Sequence, residues 1–231
     1  MKNIKVENLF NTPLWLCSNA IRMSHDNHYL SDTVDGNIGS KDLALIGRVG
    51  NKHKHSSILE MIQMYWEIDR ISRGCLQQYS RHRIQSLTVK SSRFTLNKDL
   101  KNEKTFISYE PIKDWLIVNG TDGSRRWFDI DRASKYIVLS GDDDIDACSI
   151  QALENTRFMI TINKSNDIVK YNLCEAYRTK LQTSMNMRAF QNFLQLRLAK
   201  DAHFEIRELA QKMLDSLPKE YQKIALGYKD E

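Results

Sequence analysis

Arg81-His82-Arg83-Ile84-Gln85-Ser86-Leu87-Thr88-Val89-Lys90-Ser91-Ser92-Arg93 is the stretch on which the reading of this chain turns. Two guanidiniums flank an imidazole on consecutive residues. Seven residues further on, the hydroxyl pair Ser91 and Ser92 is closed by a third guanidinium, Arg93. A guanidinium fork gives two parallel charge-assisted hydrogen bonds to an oxyanion. Small hydroxyl residues beside it let backbone N–H groups come close to a phosphate. The segment therefore reads as a phosphate-binding loop, although a solvated basic turn has the same composition. It follows a helix expected to start at Ser72 and to deliver Gln78 and Arg81 at its C-terminal end, where cations complement the helix dipole.

Two further groups of polar residues stand apart in the chain. Upstream, His55-Ser56-Ser57-Ile58-Leu59-Glu60 has the spacing of a capping box, with the Ser57 hydroxyl at the N-cap and the Glu60 carboxylate at N3. Downstream come Asn186-Met187-Arg188, then Asn192, then Arg197. At about 100° per residue Arg188 and Asn192 share a helix face, while Arg197 points about 180° away from Arg188. A helix with polar groups on two surfaces suits a position between ligands or subunits.

At 231 residues, 41% hydrophobic and 27% charged, the chain can bury a substantial core. Its net charge of +5 suits anionic small ligands as well as nucleic acid. No run of eighteen apolar residues and no cleavable signal is seen, so a soluble, cytoplasmic protein is expected. Cys17, Cys75, Cys148 and Cys174 are scattered without CxxC pairing, which fits a reducing compartment and no familiar zinc site. Cys75 and Cys148 lie in apolar helical patterns and are expected to be buried and inert. The acidic run Asp142–Asp144 reads as a solvated helix start, and no metal site is expected.

The pattern along the chain predicts a strand over Val6–Phe10 and a helix capped by Thr12 that runs to about Met23. Ser40 is expected to cap a helix to about Val49. Strict alternation from Ile62 to Asp69 predicts a half-buried strand. From Asn97 to Gly141 the pattern is irregular, with a hairpin whose strands lie near Trp115–Val118 and Trp127–Ile130 and whose turn is Asn119-Gly120-Thr121-Asp122-Gly123. Helices near Ile145–Ile160 and Asp167–Tyr177 precede a strand near Lys180–Met185 and the Arg188 helix. The periodic residues Ile206 to Leu217 mark the final amphipathic helix. Helices and strands without a βαβ rhythm indicate α+β: a single mixed domain, 1–231, with a central antiparallel-rich sheet flanked by helices.

Arg-His-Arg, seven residues, Ser, and Arg two further on resembles the signature of the flavin-dependent thymidylate synthases. The His-x-Ser-x-x-Glu element and the Asn-x-Arg, Asn, Arg series match that family in order and spacing. Val-Lys-Ser-Ser-Arg, Ser72-Arg73-Gly74 and Ala152-Leu153-Glu154-Asn155 resemble its epsilonproteobacterial branch. The resemblance implies FAD held by His55, Ser57, Arg81, His82, Arg83, Asn186, Arg188 and Asn192. It implies dUMP held by Gln78, Arg81, Ser91, Ser92, Arg93, Lys170 and Arg197, with Arg197 as the catalytic cation that ionises the uracil imide. It also implies NADPH as reductant, methylenetetrahydrofolate as carbon donor, and a homotetramer with shared active sites, with neither nucleic acid nor membrane as a partner. Two positions depart from the better-known branch: Val89 stands where that branch has an acidic residue, and Lys170 where it has an arginine. An ammonium keeps the charge of that arginine but not its bidentate geometry. The competing readings are a related enzyme that modifies another pyrimidine nucleotide, and a non-catalytic nucleic-acid-binding protein that stacks bases on Trp66, Tyr79 and Phe94.

Overall fold

The computed structural model describes residues 4–24, 26, 30–119 and 123–228. Its elements in chain order are β1 (Lys5–Asn11), α1 (Leu14–Met23), α2 (Ser40–Ile46), β2 (Gln63–Ser72), α3 (Arg73–Tyr79), β3 (Gln85–Val89), α4 (Ser92–Leu100), β4 (Ile107–Ser108), β5 (Leu116–Asn119), β6 (Arg125–Phe128), α5 (Ile130–Ala133), α6 (Asp143–Thr161), α7 (Asn166–Val169), β7 (Arg178–Asn186), α8 (Met187–Arg197), α9 (Phe204–Asp215) and α10 (Lys219–Ala225). A π-helix (Gly47–Lys52) continues α2, and 3-10 turns cover Ser56–Met61 and Lys170–Asn172. The class is α+β, as the sequence pattern predicts. By backbone proximity the chain forms two compact units: one of Arg70–Gln77 and Val89–Lys180, the other of Ile4–Asp69, Gln78–Thr88 and the chain from Leu181 on.

In the second unit β1 and β2 pair antiparallel within a sheet of order β1-β2-β7-β3. The alternation in β2 puts Met64, Trp66 and Ile68 in the core, each with no exposed surface. Trp66 donates its indole N–H to the Ser216 hydroxyl at 3.1 Å and packs on Phe190 of α8, with ring centroids 5.1 Å apart. A buried ion pair, Arg22–Asp42, lies here. Asp42 accepts from Arg22 Nε at 2.8 Å, from Ser31 at 2.5 Å and from Thr33 at 2.8 Å.

The other unit holds the 97–141 segment, which is more regular than its sequence suggests. It contributes the end of α4, the antiparallel sheet β4-β6-β5, and α5. The expected hairpin is β5–β6, paired from Leu116↔Phe128 to Asn119↔Arg125, while Gly120, Thr121 and Asp122 of its turn lie outside the described residues. Leu96, Leu100, Phe106, Phe128, Ile150 and Leu153 form the core of this unit. Arg132 ties the segment down: its Nε meets Asp129 at 2.9 Å, and its carbon lies 4.7 Å from the centre of the Phe106 ring. Asp142 caps α6 by accepting from Ile145 N at 3.1 Å, so the acidic run does start a helix.

Several local expectations need correcting. Thr12 does not cap α1, because its hydroxyl accepts from Gln63 N at 3.2 Å and Pro13 takes the N-cap position. Ser40 is the first residue of α2, and the Asp32 carboxylate caps the helix by accepting from Lys41 N and Asp42 N. Ser57 and Glu60 form no capping box, since their segment winds as a 3-10 turn. The Asp167 helix stops at Val169 and gives way to a 3-10 turn, because Leu173 is already extended (ψ 121°). α9 is not the last helix, as α10 follows it after Pro218. Cys75 is buried as expected, but Cys148 is exposed on α6, and Cys17 is the second fully buried thiol.

Candidate active site

The Arg-His-Arg stretch is not one continuous loop. Arg81, His82 and Arg83 occupy the bend after α3, and the spacer that follows runs as strand β3. Five of the seven spacer residues are thus a strand, which carries the chain from the basic bend to Ser91 at the N-cap of α4. Ser72 does open α3, with its hydroxyl accepting from Cys75 N at 2.9 Å.

Within the unit that contains His82, a cavity of about 550 Å³ is lined by His82, Arg83, Asn186, Arg188, Asn192 and Glu60. Packing between α8 and the 3-10 turn Ser56–Met61 brings Glu60 to Arg188 across the intervening chain. Arg188 donates to Glu60 at 2.6 Å, and both side chains are about half exposed. Asn186 is buried, and its side-chain oxygen accepts from Ala189 N at 2.8 Å as the N-cap of α8. Helix capping thus accounts for its placement, and it also lines the cavity. Asn192 lies one turn beyond Arg188 on the same face, as the helical period requires.

Arg197, at the last residue of α8, donates from Nε to His82 Nε2 at 3.1 Å. Burial first and the Arg197 charge second push the His82 imidazole below its ordinary value. The His82 ring stands edge-on to Phe193, with centroids 4.9 Å apart. Phe193 in turn meets Tyr79 edge-on at 5.4 Å, and the Tyr79 hydroxyl shares a 3.1 Å hydrogen bond with Thr183.

The remaining residues singled out in the sequence are placed as follows. His55, just before the 3-10 segment, and Ser57 on it are exposed and outside the cavity lining. Gln78 is half-buried in the last turn of α3, and Arg81 is exposed. Ser91, Ser92, Arg93 and Lys170 belong to the other unit. There Arg93 pairs with Asp167 at 3.0 Å, Ser91 and Lys170 are exposed, and Ser92 is half-buried. Val89 ends β3 half-buried, and Lys90 beside it pairs with Asp99. Trp66 and Tyr79 have no exposed surface and cannot serve as stacking platforms for bases, whereas Phe94 is exposed. Glu60 is the lining residue whose role the sequence obscured, because its spacing to Ser57 had a sufficient local explanation.

The family profile of the thymidylate synthase complementing proteins matches residues 6–221. The chain belongs to the flavin-dependent thymidylate synthase family. It is accordingly an enzyme of that kind. The flavin-dependent thymidylate synthase of Campylobacter jejuni (strain RM1221) is 42% identical over 213 residues, which is 92% of this chain and 91% of that one. That of Wolinella succinogenes is 43% identical over 210 residues, 91% of each. The crystal structure of thymidylate synthase X from Helicobacter pylori with FAD and dUMP matches with a TM-score of 0.83 at 38% identity, covering 97% of this chain and 98% of that one. These relatives place the chain with the epsilonproteobacterial enzymes, as its motifs indicate.

The donor set of the cavity fits an anionic flavin dinucleotide. Arg83 and Arg188 supply guanidiniums, Asn192 an amide and His82 an imidazole around one hollow. Glu60 occupies one nitrogen of Arg188, and the other two have no hydrogen-bond partner among the described residues. No helix among the described residues is long and apolar enough to cross a membrane.

Proposed function

We propose that this enzyme methylates dUMP to dTMP reductively in the cytoplasm, using methylenetetrahydrofolate as carbon donor, NADPH as reductant and FAD as cofactor, without a cysteine nucleophile. The observation that carries this reading is the cationic cavity formed by Arg83, Arg188 and Asn192 beside the Arg197–His82 pair. It occurs in a chain whose Helicobacter relative crystallised with FAD and dUMP. Arg83, Arg188, Asn192, His82 and Asn186, together with Arg81, His55 and Ser57, would hold the cofactor. Bound there, FAD would supply the hydride that completes the methyl group.

Gln78, Arg81, Ser91, Ser92, Arg93 and Lys170 hold the nucleotide, whose phosphate suits the cations and hydroxyls. Arg197 faces the pyrimidine. A guanidinium stays protonated at any working pH, so it stabilises the imide oxyanion and raises electron density at C5 without a covalent adduct. The cysteines have no part in this. Burial pushes the Cys17 thiol up to about 12 and raises that of Cys174, and Cys75 has no exposed surface. Cys148 is exposed on α6 between Asp144 and Ala152, a stretch with no basic residue to activate a thiol. The functional unit is the whole of 1–231, assembled as a homotetramer that completes each site.

The test has two stages. Purified protein should show flavin absorbance bands, and incubation with dUMP, methylenetetrahydrofolate and NADPH should give a product with the mass of dTMP. Protein that neither carries nor takes up FAD would sink the reading. A product of different mass would favour the related pyrimidine-modifying chemistry.

A further inference from the structure

Arg197 is the last residue of α8 and is hydrogen-bonded to His82 of the cavity wall, at a place where helices fray and long side chains sample many rotamers. A cation meant to meet developing charge must be held before the substrate arrives. The only hydrogen bond from Arg197 to the described residues is the one from Nε to His82 Nε2 at 3.1 Å. Arginine has donors only, so His82 Nε2 must offer a lone pair and the ring must carry its single proton on Nδ1. Using Nε fixes the guanidinium plane. The two terminal nitrogens then form a fork with no partner among the described residues, matched to two adjacent acceptors.

His82 is itself held. Its ring packs edge-on to the fully buried Phe193, which is braced by Tyr79 and Phe190, and Phe193 and Arg197 lie one turn apart on α8. The same helix thus carries the cation and the wall that orients the cation's acceptor. The charged groups nearby are mostly positive: Arg197 and Arg188 on α8 and the chain neighbours Arg81 and Arg83, with Glu60 the one carboxylate among the described lining residues and already paired to Arg188. That surrounding favours a neutral imidazole.

We propose that His82 is a positioning residue for Arg197. As a neutral Nδ1–H imidazole it accepts from Arg197 Nε and presents the terminal guanidinium fork to the pyrimidine imide. Gaining a proton removes that acceptor and sets two cations against each other, so acid releases the fork. The inference rests on the pyrimidine reading of the site, but the pairing itself can be tested without turnover.

In the full chain labelled with ¹⁵N-histidine, the His82 signals are assigned by their loss in His82→Gln. Neutral His82 should show an unprotonated Nε2, and its titration should move to higher pH in Arg197→Gln. A proton on Nε2, or a titration indifferent to Arg197, overturns the proposal. The second measurement is the pH dependence of reduced-flavin oxidation by dUMP and methylenetetrahydrofolate. Wild type should lose rate in acid along the His82 titration. His82→Gln, whose amide oxygen accepts without titrating, should lose that acid limb. His82→Ala should be slower by about tenfold, the scale of one charge-assisted hydrogen bond. An unchanged acid limb in His82→Gln overturns the positioning role. If wild type makes no dTMP at all, the pyrimidine reading fails while the nitrogen spectra still decide the pairing.

Discussion

If Arg188 holds the flavin as proposed, its pair with Glu60 separates binding from folding. Their 2.6 Å contact is about half exposed, and exposed pairs are worth about 0–1 kcal/mol because solvent screens them and ordering both side chains costs entropy. Arg188→Ala is therefore expected to lose less than about 1 kcal/mol in urea unfolding yet to lose its flavin absorbance. A variant that unfolds easily while keeping its flavin would make Arg188 structural. The cysteines give a second residue-scale expectation. Cys17→Ala and Cys75→Ala should each cost about 1 kcal/mol, the usual loss for one buried heavy atom, and all four single replacements should still form dTMP. One folded, flavin-bound cysteine variant without turnover would bring a covalent mechanism back.

At the scale of elements, the decisive feature is a strand inside what reads as a loop. Gln85, Leu87 and Val89 are half-buried while Ser86 and Thr88 are exposed, a period of two that spans only five residues. So short an alternation is hard to separate from a turn, and the basic residues around it draw attention away. α8 is the other element that matters, since it places Arg188, Asn192, Phe193 and Arg197. Its N-cap is Asn186, whose loss to Ala should cost about 1 kcal/mol in thermal or urea unfolding, with Asp or Ser at that position restoring most of it. If Asn186→Asp recovers stability but not flavin binding, the amide has a role beyond the cap.

For the molecule as a whole, one buried and one half-buried group couple stability to pH in the same direction. Burial alone would raise the Asp42 carboxyl, but hydrogen bonds from Ser31, Arg22 and Thr33 together with the Arg22 charge outweigh it and hold the carboxyl below its ordinary value. Its contribution is complete above the unfolded-state pKa and is lost as pH falls through the folded one. The His82 imidazole is also held below its ordinary value. On acidification the unfolded chain takes up that proton first, so stability falls between the ordinary imidazole pKa and the depressed one. Denaturant unfolding followed across pH should therefore show two losses, a histidine loss at mild acidity and a carboxylate loss in stronger acid. Asp42→Asn should abolish the second and cost about 3–5 kcal/mol at neutral pH, because it strands the buried Arg22. An unchanged acid profile in that variant would show that other carboxylates govern it.

The sequence by itself determined which elements exist wherever the signal is local and repeated: the alternation of β2, the acidic run that starts α6, and the one-turn spacing of Arg188 and Asn192. It also carried the family, because guanidiniums, hydroxyls and amides at set intervals are chemistry written in residue types. Only the tertiary structure decided what those groups touch. Glu60 meets Arg188 across 128 residues, and His82 meets Arg197 across 115. Cys17 is buried and Cys148 exposed although both lie in helices with apolar neighbours. Local rules assigned Glu60 to Ser57 and Thr12 to its own helix, and each found a distant partner instead. The reason is physical. A cap or a period is decided within one or two turns of chain, whereas a side chain with two possible partners goes to the one that packing brings within hydrogen-bond reach.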